Sequence, residues 1–535
     1  MRFGAEPLRL IPNSEIDAAQ AERLRVEQDA AALGNPQRAL DSLSHHCRTE
    51  FTAAYQAKQA GGIETRMHQD LRALRGEYDP EDLAEITKQG STPVYLQLTA
   101  EKHYGALAWV TDLLTQERPF GCDPTDVVTL PDIVKQEIVL QSRTELEMAS
   151  AGGLYNPMEL ASRVRYYEQE VSRRLHSHGK REAEATATTV DDVFTEGDWY
   201  QAILQWADDG IGIGTGILAG PCVRMGWCME WADAEGTQDR AVKKAIRYYY
   251  AVSPLDAYPS PGARHIDEGS FTERQRWSRS DFERVIGIKG FKDDRVRQIL
   301  EQWPQGRRDW MTGDVMRARL ENRSQEFTNN AEGYYDVARH WTSVSARMLQ
   351  EWGMPEAAGM DPITEVAIEA YFVDSIVFGA RVIDDPLRKR PYSVWQFRPV
   401  RGSFWGESLP RSMRSIQRIC NAAARALCDN MGMASGPMVE IETDRLAANE
   451  KVTAIYPWRV WQTIKNPSGS PGPAVRPIVT QMYADQLLGV MQHFMPLADR
   501  LTGIPAYSYG VPETRGAAGT SSGLAQLRAD AARGL

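Results

Sequence analysis

The sequence predicts a predominantly helical α+β fold in a chain of 535 residues, long enough for two to four packed units. Two observations favour helix: the first 190 residues have apolar side chains at helical spacing, and oppositely charged residues stand close to each other in that pattern. Two other segments predict strands: residues 365–386 read as a strand pair, and residues 437–465 read as a β-rich stretch.

The predicted elements of the first half follow this division. Within the helical N-terminal part, "TPVYLQLTAEKHYGALAWVTDLL" from Thr92 reads as a strand-like alternation running into a helix, and residues 179–192 read as a polar linker or exposed loop. A helix over residues 198–210 leads into the glycine-rich residues 211–227. An alternating, strand-like stretch, "KAIRYYYAVSPLDAYPSP", comes next.

The second half of the chain alternates between predicted helices and predicted strands. Residues 280–350 return to helix, and the strand pair of residues 365–386 ends at Asp385-Pro386. An arginine-rich helix over residues 411–436 precedes the β-rich stretch. A last helix, "IVTQMYADQLLGVMQHFMPLADRL", precedes a glycine-rich segment that ends at Gly523.

The composition restricts the class of protein. The chain is 42% apolar and 25% charged, which is typical of a globular protein. The net charge of −11 argues against tight DNA wrapping, because affinity for phosphate depends on lysine and arginine. The N-terminus has no apolar core of a signal peptide, no stretch reaches the length of a membrane span, and six cysteines form no dense framework. We therefore expect a soluble protein of the cell interior without membrane contact.

Two sequence matches to enzyme motifs lack the structural context that their chemistry requires. Gly214, Gly216 and Ala219 fit the dinucleotide-binding pattern GxGxxA, but a helix is predicted before them where the motif needs a strand. Ser521 in "GTSSG" fits the nucleophile elbow, again without a preceding strand. We predict no catalytic, cofactor-binding or metal-binding residue. A nucleotide-dependent enzyme or a hydrolase using Ser521 remains the alternative.

The helix "RSMRSIQRICNAAARALCDNMGMASG" has two contrasting faces. At 100° per residue, a narrow stripe of arginines stands almost opposite an arc of mostly small apolar residues. The stripe consists of Arg411, Arg414, Arg418 and Arg425, and the arc of Met413, Ile416, Cys420, Ala423, Ala424 and Leu427. Ser408 is placed to cap the helix and Pro410 suits its first turn. Either the arginines are solvated, or they bridge to acidic groups of a neighbouring copy, with Glu407 and Asp429 as candidate acidic partners.

The region around this helix resembles a known family. "VRGSFWGESLPRSMRSIQRICNAAARALCDNMGMASGPMVEIETDRL", "IYPWRVWQ" and "LADRLTGIPAYSYG" are similar to the portal proteins, or head–tail connectors, of tailed bacteriophages, most of all those of short-tailed phages. The glycine–aromatic entry to a helix with Gln417 and Asn421, and the Asn430 exit, carry the resemblance. It is specific over residues 399–510 and weaker over residues 94–114 and 207–221, and residues 1–90 are not aligned.

The resemblance implies a ring with wing, stem and clip regions. The following boundaries are implied: wing, residues 1–400; first stem helix, residues 401–435; clip, residues 436–475; second stem helix, residues 476–502; tunnel loop, residues 503–523; start of a short crown, residues 524–535. In that frame the four arginines, Glu407 and Asp429 are candidates for the subunit interface. Tyr507, Tyr509 and Arg515 are candidates for the channel and tunnel loop.

The resemblance also implies partners and a location. The homo-oligomer would be a dodecamer at one vertex of the capsid, assembled in the host cytoplasm with the major capsid protein and the scaffolding protein. It would dock the terminase large subunit during DNA packaging and a tail adaptor afterwards, and double-stranded DNA would pass through its channel by transient, non-specific contacts during packaging and ejection. The rival interpretation is another virion component, such as an adaptor or ejection protein.

Overall fold

Helix is more abundant than strand in the structure, which confirms the mixed α/β class with a helical majority. The computed structural model describes residues 36–114, 122, 132–149, 157–231, 239–308, 333–352, 354, 359–383, 389–436, 438–448, 459–464 and 472–504. The α-helices are α1 (Pro36–Ala60), α2 (Ile63–Arg75), α3 (Pro80–Lys88), α4 (Leu98–Leu114), α5 (Asp132–Ala149), α6 (Pro157–Glu196), α7 (Trp199–Ile213), α8 (Arg279–Val285), α9 (Asp293–Gln302), α10 (Ala346–Glu351), α11 (Leu409–Ser435) and α12 (Ala484–Thr502). The strands are β1 (Thr215–Trp231), β2 (Asp239–Val252), β3 (Ala257–Pro259), β4 (Phe271–Trp277), β5 (Tyr335–Ser345), β6 (Glu365–Val373), β7 (Ile376–Val382), β8 (Tyr392–Gln396), β9 (Met438–Ile441) and β10 (Val475–Ile478).

The chain divides into two units. The first consists of Met1–Leu107, Asp208–Ile217 and Val252–Leu535, and the second of Ala108–Ala207 and Leu218–Ala251. Each unit is therefore built from segments that are distant in sequence. The arginine-rich helix α11 belongs to the first unit, and the longest helix, α6, belongs to the second.

A five-stranded antiparallel sheet, in the order β3-β4-β5-β6-β7, forms the core of the first unit. The predicted strand pair of residues 365–386 is confirmed as β6 and β7, which pair from Val373 opposite Ile376. Side chains of both faces are buried because helices cover both. Helix α1 covers one face through Leu43, Phe51 and their neighbours, and α8 and α9 cover the other through Phe282 and Ile299.

The second unit holds the paired helices α5 and α6, the first part of α7 and the neighbouring strands β1 and β2. The Tyr167 hydroxyl of α6 donates a hydrogen bond of 2.5 Å to Glu145 of α5. Lys244 of β2 forms an ion pair with Glu196, 3.4 Å away, and Arg224 of β1 forms one with Asp198 at 2.7 Å. The end of α6 is therefore held by the strands that follow it.

Helices α11 and α12 form a hairpin whose connection carries the short antiparallel pair β9-β10. Asn430, near the end of α11, binds the start of α12 on two sides: its amide donates to the Gln481 carbonyl at 3.0 Å and accepts from the Tyr483 N–H at 2.9 Å. The predicted helix–β–helix order of residues 411–501 is confirmed. The last helix starts later than predicted, at Ala484, because residues 475–478 pair with β9.

Three other predictions differ from the structure. Residues 335–345, predicted as helix, form strand β5, whose β-branched and aromatic side chains are buried between two helical layers. Residues 179–192, predicted as a linker or exposed loop, lie inside α6, because alanine, glutamate and lysine favour helix even without a buried face. The start of "TPVYLQL" joins no strand in the described part of the chain; Thr92 and Leu96 bind α11 through their backbone N–H groups instead.

Among the described residues, no helix combines the length and the apolar content that crossing a bilayer requires. Nor do three or more histidine, cysteine, aspartate or glutamate side chains converge as metal ligands within that part of the chain.

Candidate functional site

The start of α11 is positioned by a close crossing of two backbone segments. Gly214, which follows α7, has a φ of +97°, and a Cβ there would lie 2.7 Å from the Gly406 carbonyl oxygen and 2.8 Å from the Ser408 nitrogen. The Gly406 N–H donates to the Thr215 hydroxyl oxygen at 2.9 Å. Glycine is therefore required at Gly214 by both conformation and space. The order at this turn is helix then strand, the reverse of a dinucleotide-binding turn.

Ser408 caps α11 as predicted, and its hydroxyl also contacts a buried carboxyl group. The hydroxyl oxygen accepts from the Arg411 N–H at 3.1 Å, and the hydroxyl donates to Asp70 of α2 at 2.6 Å. Burial raises the pKa of Asp70 to about 7, against the lowering effect of the Ser408 hydrogen bond and of nearby arginines, Arg411 first among them. The carboxyl group thus titrates near neutrality beside the first turn of α11.

The buried face of α11 matches the predicted apolar arc. Met413, Cys420 and Ala424 are buried, as are Ile416 and Ala423, whereas Leu427 is half-buried. The helix ends at Ser435, and Gly436 is its C-terminal cap residue. Small side chains on this face allow close approach of the neighbouring elements, as the sequence indicated.

Two side-chain amides on the buried face of α11 bind the start of α4 and the residues just before it. The Gln417 side-chain oxygen accepts from the N–H and the hydroxyl of Thr99, at 3.0 and 2.8 Å. The Gln417 amide nitrogen donates to the Leu96 carbonyl at 2.5 Å and to the Asn421 oxygen at 2.8 Å, and Asn421 accepts from the Leu96 N–H at 3.0 Å. Because these groups are buried and bonded, they fix residues 96–99 against one position of α11.

A buried lysine fixes the other helix of the hairpin to the same element. Lys102 of α4 is 2% exposed, and its ammonium group lies 2.5 Å from the Asp499 carboxylate and 2.8 Å from the Ile504 carbonyl oxygen. Helix α4 therefore holds α11 through Thr99 and the end of α12 through Lys102. Contacts with α4 therefore fix the positions of α11 and α12 relative to each other.

Three arginines of the predicted stripe find partners within the chain, on α2, α3 and the residues between them. Arg414 binds Gln69 at 2.6 Å and Asp79 at 3.2 Å, and Arg418 forms a more exposed pair with Asp82 at 3.1 Å. Arg425 donates to the Tyr78 hydroxyl at 2.6 Å, with its guanidinium carbon 5.3 Å from the ring centre. The alternative of simply solvated arginines is wrong for Arg414 and Arg425.

Arg411 differs from the other three. Within the part of the chain that the structure describes, its guanidinium group makes no hydrogen bond or ion pair at contact distance, although it lies near Asp70. It lines a cleft with Arg66, Asp70, Trp405 and Ser408. Arg411 is thus the stripe residue best placed to bind a group from outside the chain, and the subunit-bridging role of the stripe stays a prediction.

The two acidic interface candidates also have partners within the chain. Glu407 lies 3.9 Å from Arg398, and its N–H donates to the Arg398 carbonyl at 2.8 Å. Asp429 accepts from the Ser91 hydroxyl and from the Thr92 N–H, which together lower the pKa of its carboxyl group, the Ser91 bond most. Neither residue forms an ion pair with the stripe among the described contacts.

Both helices of the hairpin expose large apolar side chains. In α12, only Ala498 and Thr502 are buried, whereas Leu488, Met495 and Leu501 are each about 40% exposed. Met431 and Met433 at the end of α11 are nearly half exposed. Val479 is 84% exposed in the segment before α12. Exposed apolar side chains of this size are available to contact another protein.

Several predicted site residues lie outside the described residues. These are the channel and tunnel-loop candidates Tyr507, Tyr509 and Arg515, together with Ser521 of the "GTSSG" match. Of the implied regions, the crown (residues 524–535) and all of the tunnel loop except Gly503 and Ile504 also lie outside.

The described part of residues 400–504 consists of a long helix, a short β connection and a second helix packed on the first. Comparison with known families gives one match over this region. The model of the Phage SU10 portal protein family matches residues 369–534, which contain the whole hairpin. The match supports a phage portal protein and confirms the resemblance to head–tail connectors of the DNA-packaging machinery. A search of curated proteins found no match.

Sequence reasoning missed the residues that hold the hairpin from outside it. Asp70, Thr99 and Lys102 are separated from their partners by 318 to 402 residues. A lysine within the mainly apolar helix α4 was a weak signal, since lysine is rarely buried without a partner. Its partner had no signal in sequence.

Proposed function

We propose that this chain is the portal subunit of a short-tailed phage, and that twelve copies close into a ring at one capsid vertex. The observation that carries the proposal is the family match over residues 369–534, which covers the α11–α12 hairpin. In this frame α11 and α12 are the stem helices, β9-β10 belongs to the clip, and the chain before them forms the wing.

The exposed surface of the hairpin supports a ring. Leu488 and Met495 are seven residues apart and stand on one face of α12, so a neighbouring copy could cover both at once. The buried face of α11 is used within the chain, by α4 and α12. A closed cyclic ring requires two different complementary surfaces on each copy, and the apolar side chains of α12 would form one of them.

The charge of the chain suits a channel through which DNA slides. Twelve copies at −11 each carry 12 × −11 = −132. Such a wall repels phosphate over roughly 8–10 Å at physiological salt, and persistent contacts would slow packaging and ejection. We propose that double-stranded DNA passes through the ring without being held.

Docking partners follow from the same proposal. The clip would bind the terminase large subunit during packaging and a tail adaptor afterwards, and the wing would contact the major capsid protein and the scaffolding protein. The ring would therefore belong to the virion, at the capsid vertex, after assembly in the host cytoplasm.

The mass of the purified assembly tests the proposal most directly. Native mass spectrometry together with negative-stain images should give one species of about twelve subunits with an axial hole. A chain that stays monomeric at high concentration, or forms an irregular assembly, would instead favour another virion component such as an adaptor or ejection protein.

A paired variant tests the proposed contact surface. Leu488→Glu with Met495→Glu should leave a folded monomer by circular dichroism but abolish rings, because buried charge at each interface opposes closure. Gln486→Glu, on an exposed position almost opposite Leu488 on the same helix, is the control and should still form rings. Intact rings in the double variant would show that this face of α12 does not form the contact between neighbouring copies.

A further inference from the structure

Helix α6 of the second unit is long, exposed and without a buried face. It runs for 40 residues, which corresponds to about 60 Å, and none of its residues is buried. Helix α5 packs against part of it, through Glu145 with Tyr167 and Arg163. Large apolar side chains remain open, with Met158 80% and Tyr166 63% exposed. A helix of this length without a buried face suggests a partner outside the chain.

The charges of α6 are separated along its length. Residues 157–181 carry six basic and three acidic side chains, which gives +3, whereas residues 182–196 carry five acidic and no basic side chains, which gives −5. The six basic residues are Arg163, Arg165, Arg173, Arg174, Lys180 and Arg181, and the five acidic residues of the second segment are Glu182, Glu184, Asp191, Asp192 and Glu196. We name residues 157–181 the basic segment and residues 182–196 the acidic segment.

Many of these charges are not used within the chain. Arg173 and Arg174 pair with Glu170, and Glu196 pairs with Lys244. Among the described residues, Lys180, Arg181, Glu184 and Asp192 show no hydrogen bond or ion pair through their charged groups. Each segment therefore presents charged groups to solvent, with a net charge of +3 in the basic segment and −5 in the acidic segment.

We propose that the acidic segment of α6 binds the basic segment of α6 in the neighbouring copy, head to tail around the ring. The inference rests on the proposed ring and adds a specific interface in the second unit. A cyclic contact joins two different surfaces of the same chain, and opposite charges on separate segments of one helix meet that requirement. Side-by-side parallel pairing would place like charges together and is disfavoured.

Charge reversal on either segment tests the contact. Lys180→Glu with Arg181→Glu changes the basic segment from +3 to −1, so both segments become acidic. Glu182→Lys with Glu184→Lys and Asp192→Lys changes the acidic segment from −5 to +1, so both segments become basic. At low salt, each reversed variant should raise the protein concentration at half-assembly by about tenfold or more, because like charges then meet at every interface. The difference from the wild type should shrink at about 0.5 M salt.

Mixing the two reversed variants gives the decisive result. In an alternating ring, the −5 segment of one variant meets the +3 segment of the other, and the +1 segment meets the −1 segment. An equimolar mixture should therefore assemble at a lower concentration than either variant alone. Arg279→Glu with Arg284→Glu, on the exposed face of α8, changes the net charge by the same −4 as the Lys180 and Arg181 variant and serves as its control. The control should assemble normally.

The outcomes separate this inference from the proposed function. If the wild type forms no ring, both proposals fall. If it forms rings and the reversed variants assemble at the same concentration, only the α6 contact is wrong. The α6 contact is equally overturned if the mixture fails to recover, if the product is a two-fold dimer, or if the variants change only retention of duplex DNA.

Discussion

Helices α6 and α11 are both long and rich in charged residues, but they differ in burial and in the contacts that their charged side chains make. Nine residues of α11 are buried, and Arg414, Arg418 and Arg425 bind acidic or aromatic partners of the same chain. In α6 no residue is buried, and charges such as Lys180 and Glu184 have no partner in the described part of the chain. The comparison shows that the charged face of a helix can pair with groups of the same chain or remain exposed to solvent. Amino-acid composition alone does not distinguish these two cases.

The difference has a physical origin. Helix α11 is surrounded by α2, α3, α4 and α12, whose polar groups replace the water that its arginines and amides lose. Helix α6 packs against α5 along part of one side. Changes around α11 should therefore alter the stability of the single chain, whereas changes on α6 should alter assembly.

The largest effect is expected at the crossing that positions α11. Gly214→Val places a branched side chain at positive φ, within 3 Å of the backbone of residues 406–408, and should destabilise the fold by about 4 kcal/mol or prevent folding. Thermal unfolding measures the loss. The control is Gly432→Ala within α11, where nothing lies within 4 Å of the added Cβ, and it should stabilise by up to about 1 kcal/mol.

The buried ion pair at the end of α12 should give the next largest effect. Lys102→Met leaves Asp499 and the Ile504 carbonyl without their cation and should cost about 3–4 kcal/mol in urea unfolding. Lys102→Met combined with Asp499→Asn should cost less than the sum of the two single changes, since no unpaired charge remains. Additive costs would show that the pair does not couple α4 to α12.

Asp70 should make the stability of the α11 start depend on pH. Its folded pKa of about 7 lies above the ordinary value of 3.8, so its stabilising contribution is complete below pH 3.8 and is lost as the pH rises through 7. Asp70→Asn removes this loss and still offers an acceptor to Ser408. The difference between its midpoint of thermal unfolding and that of the wild type should increase from pH 4.5 to pH 8, by an amount equivalent to about 3 kcal/mol. An unchanged difference across that range would refute the assignment.

The smallest effects on stability are expected for exposed charged side chains of α11 and α6. Arg418→Ala removes a half-exposed pair with Asp82 and should cost about 0–1 kcal/mol of monomer stability. Lys180→Ala, on α6, removes no contact within the described chain and should leave the unfolding midpoint unchanged. A larger loss for Lys180→Ala than for Arg418→Ala would contradict the division between the two helices.

Much of the local structure was predictable because it depends on near neighbours in sequence. The Ser408 cap, the apolar arc from Met413 to Ala424 and the β6-β7 pair all follow from periodicity and local chemistry. Strand β5 was mistaken for helix, because its burial depends on helices that lie on both sides of the sheet. The exposed helix at residues 179–192 was missed because polar composition also suits a loop.

By itself, the sequence determined the helix–β–helix order of the C-terminal region, the two faces of α11 and the resemblance to phage portal proteins, since these depend on local spacing and motif. Only the tertiary structure determined which charged side chains form pairs within the chain. It paired Arg414 with Asp79 and Lys102 with Asp499, buried Asp70 beside Ser408, and left α6 open. Such partners lie hundreds of residues apart, and proximity across that separation is created by packing alone.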